Sequence, residues 1–241
     1  MDGEKSARLD KLLITLQQRW GANALRKANE IPPAARGVLT GFPTLDAVLG
    51  PGGIPRCQTT ELVGRATSGM TTLAYKILHH AQAQDVYAIY IDLESNFDPD
   101  YAARCGVALD RLFLVRPDTR VEALDIAYDL LASGSVGVLA LDLGRTVPES
   151  RLLRRLTSAL ARSQCVILLL VWLPDDRSSQ FVINDSPSAL RLLVERQAWL
   201  CQTDDIVGYQ AVVTVLKGRT GVGKQVKIGI TFDGIVNGDP T

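Results

Sequence analysis

Gly64-Arg65-Ala66-Thr67-Ser68-Gly69-Met70-Thr71-Thr72 decides how the rest of the chain is understood. It follows the apolar run Thr60-Glu61-Leu62-Val63 and opens a helical segment beginning Leu73-Ala74-Tyr75-Lys76-Ile77-Leu78. Glycine, four residues, glycine, lysine and then serine or threonine is the pattern of a phosphate-binding loop. Backbone N–H groups and a helix N-terminus cradle the phosphates, the lysine neutralises their oxygens, and the hydroxyl holds Mg²⁺. Gly64, Gly69 and the Thr71 hydroxyl stand at those places, but Met70 occupies the lysine position. Residues Gly64, Arg65, Ala66, Thr67, Ser68, Gly69, Met70, Thr71 and Thr72 are therefore candidates to hold nucleotide phosphates, with Arg65 available as a substitute cation. A charge-assisted hydrogen bond contributes roughly 1.5–3 kcal/mol, so the missing lysine predicts triphosphate binding weaker by about one to two powers of ten. Turnover should suffer more, because stabilising charge on the transferring phosphoryl is most of what such a site does. An ordinary strand-to-helix turn that binds nothing also satisfies this stretch.

Outward from the loop the chain alternates. Strands are predicted at 58–63, 86–92, 111–115, 136–142 and 165–172, with helices at 71–84, 99–105, 120–133 and 149–162 between them. Near-continuous apolar strands separated by helices mean a parallel sheet covered on both faces. Beyond 186 the pattern predicts a helix at 187–195 and strands at 197–202, 209–216 and 225–231, the last two joined by a turn at 218–224, so the sheet ends antiparallel. The fold class is α/β, a mostly parallel twisted sheet flanked by helices with an antiparallel C-terminal extension. On the N-terminal side a short helix around 45–49 precedes the tight turn Pro51-Gly52-Gly53. Residues 6–28 read as an amphipathic helix, with Leu9, Leu12, Leu13, Leu16 and Trp20 at helical spacing, and Ile31-Pro32-Pro33-Ala34 follows as a linker. Residues 1–36 are thus an N-terminal helix with its linker, and 37–241 the core domain. The helix either packs on its own core or docks on another subunit.

Lys plus Arg equals Asp plus Glu at 26 each, so nucleic acid could be met only through a local patch. Cys57, Cys105, Cys165 and Cys201 show no Cys-x-x-Cys spacing, which argues against a metal site or disulfide framework, and three of the four are expected in the core. The N-terminus has no apolar region behind it, and the longest apolar run, Val166 to Leu173, is too short to span a bilayer. The expectation is a soluble, cytoplasmic protein.

In a parallel sheet the ligand lies beyond the carboxyl ends of the strands. Asp142 ends one strand, suited to reach Mg²⁺ through water alongside Thr71; Asp92 and Glu94 end another, with Glu94 a candidate general base toward an attacking water. Carboxylates at strand ends also cap the element that follows, so each alone says little, but with the loop they make a three-part nucleotide constellation. Arg151, Arg154, Arg155 and Arg162 lie near helical spacing, either tracking a phosphate backbone or forming a solvated face.

The order of these pieces resembles the RecA recombinase family, from about residue 9 to 240. The stretch Leu45 to Pro55 resembles the start of the family's core, and Tyr90 to Ala102 resembles the segment that carries the catalytic glutamate, here Glu94, and the residues that hold adenine, here Asp98 and Tyr101. Pro117-Asp118-Thr119 followed by Glu122-Ala123-Leu124 is a further match. Leu216-Lys217-Gly218-Arg219 resembles the segment whose cations reach a neighbouring subunit's phosphates, so Lys217 and Arg219 would supply charge in trans; solvated hairpin residues are the plainer alternative. The resemblance implies a RecA-like P-loop NTPase core, with ATP and Mg²⁺ as cofactors.

The departures are as informative. The helix at 149–162 begins so soon after Asp142 that the family's first DNA-binding loop looks deleted, and Leu170-Val171-Trp172-Leu173 lacks the glutamine that couples nucleotide state to DNA in the family. Residues 174–187 resemble a shortened second DNA loop, with Arg177 as a phosphate contact and Phe181 as a wedge between bases or an anchor of the loop itself. The family's C-terminal domain is expected to be missing. These features resemble the RecA-like accessory proteins of bacterial translesion cassettes (ImuA-type). They imply a repair adaptor that binds ATP weakly, hydrolyses little, and assembles with a RecA filament or another repair protein, possible homo-oligomers forming through the N-terminal helix. A DNA-dependent ATPase that binds single-stranded DNA is the alternative.

Overall fold

The computed structural model of the chain describes residues 2–20, 37–145, 150–174, 187–203 and 205–233. It divides into two compact units, Met1–Ala35 and Arg36–Thr241. The first contains the helix α1 (Asp2–Trp20), on which Leu9, Leu12 and Ile14 are exposed. Expected helical residues 21–28 and the proline linker lie outside the described residues.

The second unit is an α/β layer structure. Its elements are α2 (Pro43–Leu49), β1 (Thr59–Gly64), α3 (Met70–Gln82), β2 (Ala88–Asp92), α4 (Pro99–Arg104), β3 (Leu112–Val115), α5 (Arg120–Ser133), β4 (Val138–Asp142), α6 (Ser150–Leu160), β5 (Val166–Trp172), β6 (Leu190–Gln202), β7 (Asp205–Lys217) and β8 (Gln225–Thr231). The strands form one eight-stranded sheet in the order β3-β2-β4-β5-β1-β6-β7-β8. It is parallel from β3 through β6, and β7 and β8 add antiparallel.

Every residue of β1, β2 and β4 is buried. Along β2 alternate side chains enter opposite cores: Ala88 and Tyr90 pack with Leu73, Ile77 and Leu78 of α3, while Ile89 and Ile91 pack with Leu124 and Leu131 of α5 and Leu156 and Leu160 of α6. Burying a large aliphatic side chain contributes about 1.5–3 kcal/mol. A sheet with two such faces explains why these strands read as unbroken apolar runs.

Two expectations need correction. Residues 187–195 form no helix; Leu190 opens the thirteen-residue strand β6, which subsumes the strand expected at 197–202. Leu190, Leu192 and Val194 are buried in alternation with the less buried Arg191 and Leu193, a period of two that decides for strand despite the helix preference of leucine. Of the cysteines only Cys105 and Cys165 are buried; Cys57 is half-buried and Cys201 exposed, and all four are free thiols. Among the described residues, no helix is long and apolar enough to cross a membrane.

Candidate functional site: a cavity over the β1–α3 loop

β1 ends at Gly64 and α3 begins at Met70, and the turn between them folds back on itself with Thr67 at φ 59° and Gly69 at φ 99°. Left-handed residues in such a turn aim consecutive amides into one concavity. The Ser68 amide donates to the Arg65 carbonyl (3.2 Å), and the Met70 amide to Ser68 Oγ (3.3 Å). The other amides of the first turn of α3 have no intrahelical acceptor by their position, and remain donors for a ligand. Gly69 is required twice over: by its φ, and because a Cβ there would lie 2.6 Å from Ile230 Cδ1.

Above this loop lies a cavity of about 330 Å³ at the carboxyl ends of β1 and β5. Its floor is Arg65 and Thr67 to Thr72. Tyr101 comes from α4 and Trp172 from the end of β5, while Arg196, Trp199, Tyr209 and Phe232 come from the three antiparallel strands and their end. β6 follows β1 until Val194 faces Gly64, then runs on beyond it, paired with β7 as far as Gln202 opposite Asp205. That overhang carries Trp199 directly opposite Tyr209, their rings 6.4 Å apart and edge to face. The Arg196 guanidinium lies 4.3 Å from the Trp199 ring centre and 6.0 Å from that of Tyr209. The lining holds two arginines and no carboxylate.

The expected site residues divide between this cavity and its surroundings. Arg65, Thr67, Ser68, Gly69, Met70, Thr71, Thr72 and Tyr101 line it. Met70 is 1% exposed and belongs to the apolar core, so nothing ionisable stands at the lysine position. Tyr101 shares a 2.7 Å hydrogen bond between its hydroxyl and Thr72 Oγ1, and Arg104 lies over its ring at 5.5 Å. Burial is the main reason that the Tyr101 and Tyr209 hydroxyls hold their protons above the ordinary tyrosine range. Asp98 is exposed and caps α4, accepting from the Tyr101 amide at 3.0 Å.

The carboxylates sit elsewhere. Asp142 is 1% exposed, and its Oδ1 accepts from Trp172 Nε1 (2.8 Å) and the Gly144 amide (3.2 Å), while Oδ2 accepts from the Tyr90 hydroxyl (3.3 Å). Burial raises its pKa above the ordinary carboxylate range, and these hydrogen bonds oppose the rise. Asp92, fully buried, accepts from the Asn96 and Phe97 amides and lies 3.6 Å from Arg116 Nε, so it closes the turn leading to α4. Glu94 is exposed, and its Oε1 accepts from the Arg145 amide at 3.2 Å. Neither Asp142 nor Glu94 lines the cavity. The lining suits an anion held by amides and arginines; of the two residues expected to hold Mg²⁺, Thr71 lines the cavity and Asp142, held by internal donors, does not.

Lys217 and Arg219 are exposed at the far end of the strands from the loop: Lys217 is registered with Arg191, and Arg191 with Glu61. On α6, Arg155 pairs with Asp125 of α5 at 2.7 Å and lies over the Tyr128 ring, so it is engaged within the fold. Arg177, Phe181 and the side chain of Arg151 lie outside the described residues. Sequence reasoning missed Trp172, Arg196, Trp199, Tyr209 and Phe232; only the pairing of β6 with β7 brings the central three together.

A profile described as the RecA N-terminal domain matches residues 7–153. The chain belongs to the RecA family. Protein RecA of Methylobacterium radiotolerans is 30% identical over 96% of this chain and 73% of its own. Protein RecA of Chloroflexus aurantiacus is 30% identical over 90% of this chain and 70% of its own, and that of Clostridium acetobutylicum 28% identical over 97% and 76%. These RecA relatives support the α/β RecA-like core already seen in the sheet.

Proposed function

We propose that this chain is a RecA-family accessory protein of DNA repair and recombination, of the translesion type, which binds ATP weakly in the cavity over residues 64–72 and hydrolyses it little. The observation that carries the reading is Met70, buried in apolar core within an otherwise well-formed phosphate loop. The cradle offers backbone donors whatever side chain stands at position 70, so binding persists at reduced strength. Turnover needs a cation at the position that Met70 occupies, and a base near the phosphates; Glu94 is engaged with the Arg145 amide and does not line the cavity. Any Mg²⁺ that accompanies ATP would find Thr71, but no carboxylate, among the lining residues. Tyr101 is well placed to pack against the base, with Asp98 fixing the start of its helix.

Function then rests on assembly. The exposed Leu9, Leu12 and Ile14 of α1 suit docking on another RecA-fold subunit, whether a second copy or a RecA filament. Lys217 and Arg219 lie at the end of the strands away from the chain's own loop, so their charge would serve a neighbouring subunit's phosphates.

Titration with a fluorescent ATP analogue, with and without Mg²⁺, together with ATP turnover with and without single-stranded DNA, tests this. Saturable binding that Mg²⁺ alters little, with turnover at background, is expected. Turnover strongly stimulated by single-stranded DNA would overturn the accessory reading in favour of a DNA-dependent ATPase.

A further inference from the structure

We propose that Arg196 supplies the counter-charge that the loop lacks, so that a nucleotide's phosphates are held between the remaining amides at the start of α3 and a guanidinium from β6. The inference rests on the reading that the cavity takes a nucleotide. Its position argues for it: Val194 faces Gly64, so Arg196, two residues on, overhangs the loop that Gly64 opens, and Arg196 lines the same cavity as Thr67 to Thr72. Its setting argues for it too. The guanidinium lies 4.3 Å from the Trp199 ring centre, and among the described residues no carboxylate oxygen is recorded within ion-pairing distance of it.

A guanidinium on an aromatic surface is fixed by its face and keeps its N–H edges free, which is the geometry for two-point contact with phosphate oxygens. Trp199 and Tyr209 thus aim the cation without neutralising it. A lysine on the loop and an arginine on the overhang are two ways of placing one positive charge beside the same amides. The second leaves position 70 open to an apolar residue, as Met70 shows. Arg65 also lines the cavity but belongs to the floor, where its carbonyl already accepts the Ser68 amide and closes the turn.

The test is isothermal titration of the full chain and of R196A, R196K and R196A/M70K with ATP and with adenosine, thermal unfolding serving as a fold control. Arg196 is exposed, so R196A should melt with the wild type. Removing a charge-assisted contact should weaken ATP about 10- to 100-fold and adenosine by less than about twofold. R196K should fall between, because an ammonium lacks the planar fork, and M70K added to R196A should recover most of the ATP affinity. Equal losses for ATP and adenosine in R196A would assign the arginine to ring packing and overturn the proposal. So would ATP affinity unchanged from the wild type. A wild type that binds neither ligand overturns the nucleotide site itself, and the arginine assignment with it.

Discussion

One wall of the cavity is built of backbone and the other of side chains. Residues 64–72 offer amides set by the left-handed Thr67 and Gly69, whereas the overhang of β6 and β7 offers Arg196, Trp199 and Tyr209 from a regular antiparallel ladder. A backbone wall keeps its shape and its donors when a side chain changes, which is how Met70 can remove a charge without removing the cradle. A side-chain wall has the opposite property: its chemistry can change residue by residue while the ladder beneath stays the same.

The largest effect should come from uncoupling the two walls at their base. Glu61 of β1, 2% exposed, accepts from Arg191 Nε at 2.5 Å and from Ser188 Oγ at 2.8 Å, which fastens the start of β6 to the strand that carries the loop. Breaking a buried pair from one side leaves a desolvated charge and costs about 3–5 kcal/mol. Glu61→Ala should therefore lower Tm by roughly 10 °C, given about 2–4 °C per kcal/mol for a domain of this size. The double variant Glu61→Leu/Arg191→Leu should recover much of that loss. A Glu61→Ala protein that melts with the wild type would show that backbone pairing with β1 and β7 holds β6 without this ion pair.

The next effect discriminates between the walls. Gly69→Val places a branched side chain at φ 99° and against Ile230 Cδ1 and the Tyr209 ring, so the floor and the overhang collide. Backbone strain of this kind costs about 1–3 kcal/mol. ATP binding should be lost, since the amides at the start of α3 can no longer converge. Fluorescence titration checks it; retained binding would mean that the overhang holds the nucleotide without the cradle.

The contrast also accounts for what was legible. Strands buried on both faces betray themselves as continuous apolar runs, so β1, β2, β4 and β5 and the helices between them could be placed from the sequence within a few residues. The loop was legible because its glycines answer a backbone requirement that only glycine meets cheaply. The antiparallel end was harder. Leucines at 190, 192 and 193, with Arg191, Glu195 and Arg196 among them, satisfy a helix as readily as a strand in isolation; burial of 190, 192 and 194 against β1 and β7 settles it. Once 187–195 is taken for a helix, only a short strand at 197–202 is left, and the continuous register that sets Arg196 opposite Ala211 and Trp199 opposite Tyr209 disappears from view. Asp142 was correctly placed at a strand end, but only its neighbours reveal that Trp172, Gly144 and Tyr90 hold its oxygens.

The smallest effect concerns the one side chain that joins the cavity to that carboxylate. Trp172 lines the cavity and donates Nε1–H to Asp142 Oδ1, so Trp172→Phe keeps a ring in the wall and deletes the donor. Burial is the principal cause of the raised pKa of Asp142, and the Trp172 bond opposes it by favouring the ionised form. The bond's contribution is accordingly present above that raised pKa and disappears as pH falls through it. The loss of a charge-assisted hydrogen bond predicts a penalty of about 2 kcal/mol above that raised pKa, shrinking to about 1 kcal/mol or less once the carboxyl is protonated. Urea unfolding of the two proteins as pH falls gives the difference directly, and a penalty that does not change with pH would mean that Asp142 does not titrate over the range.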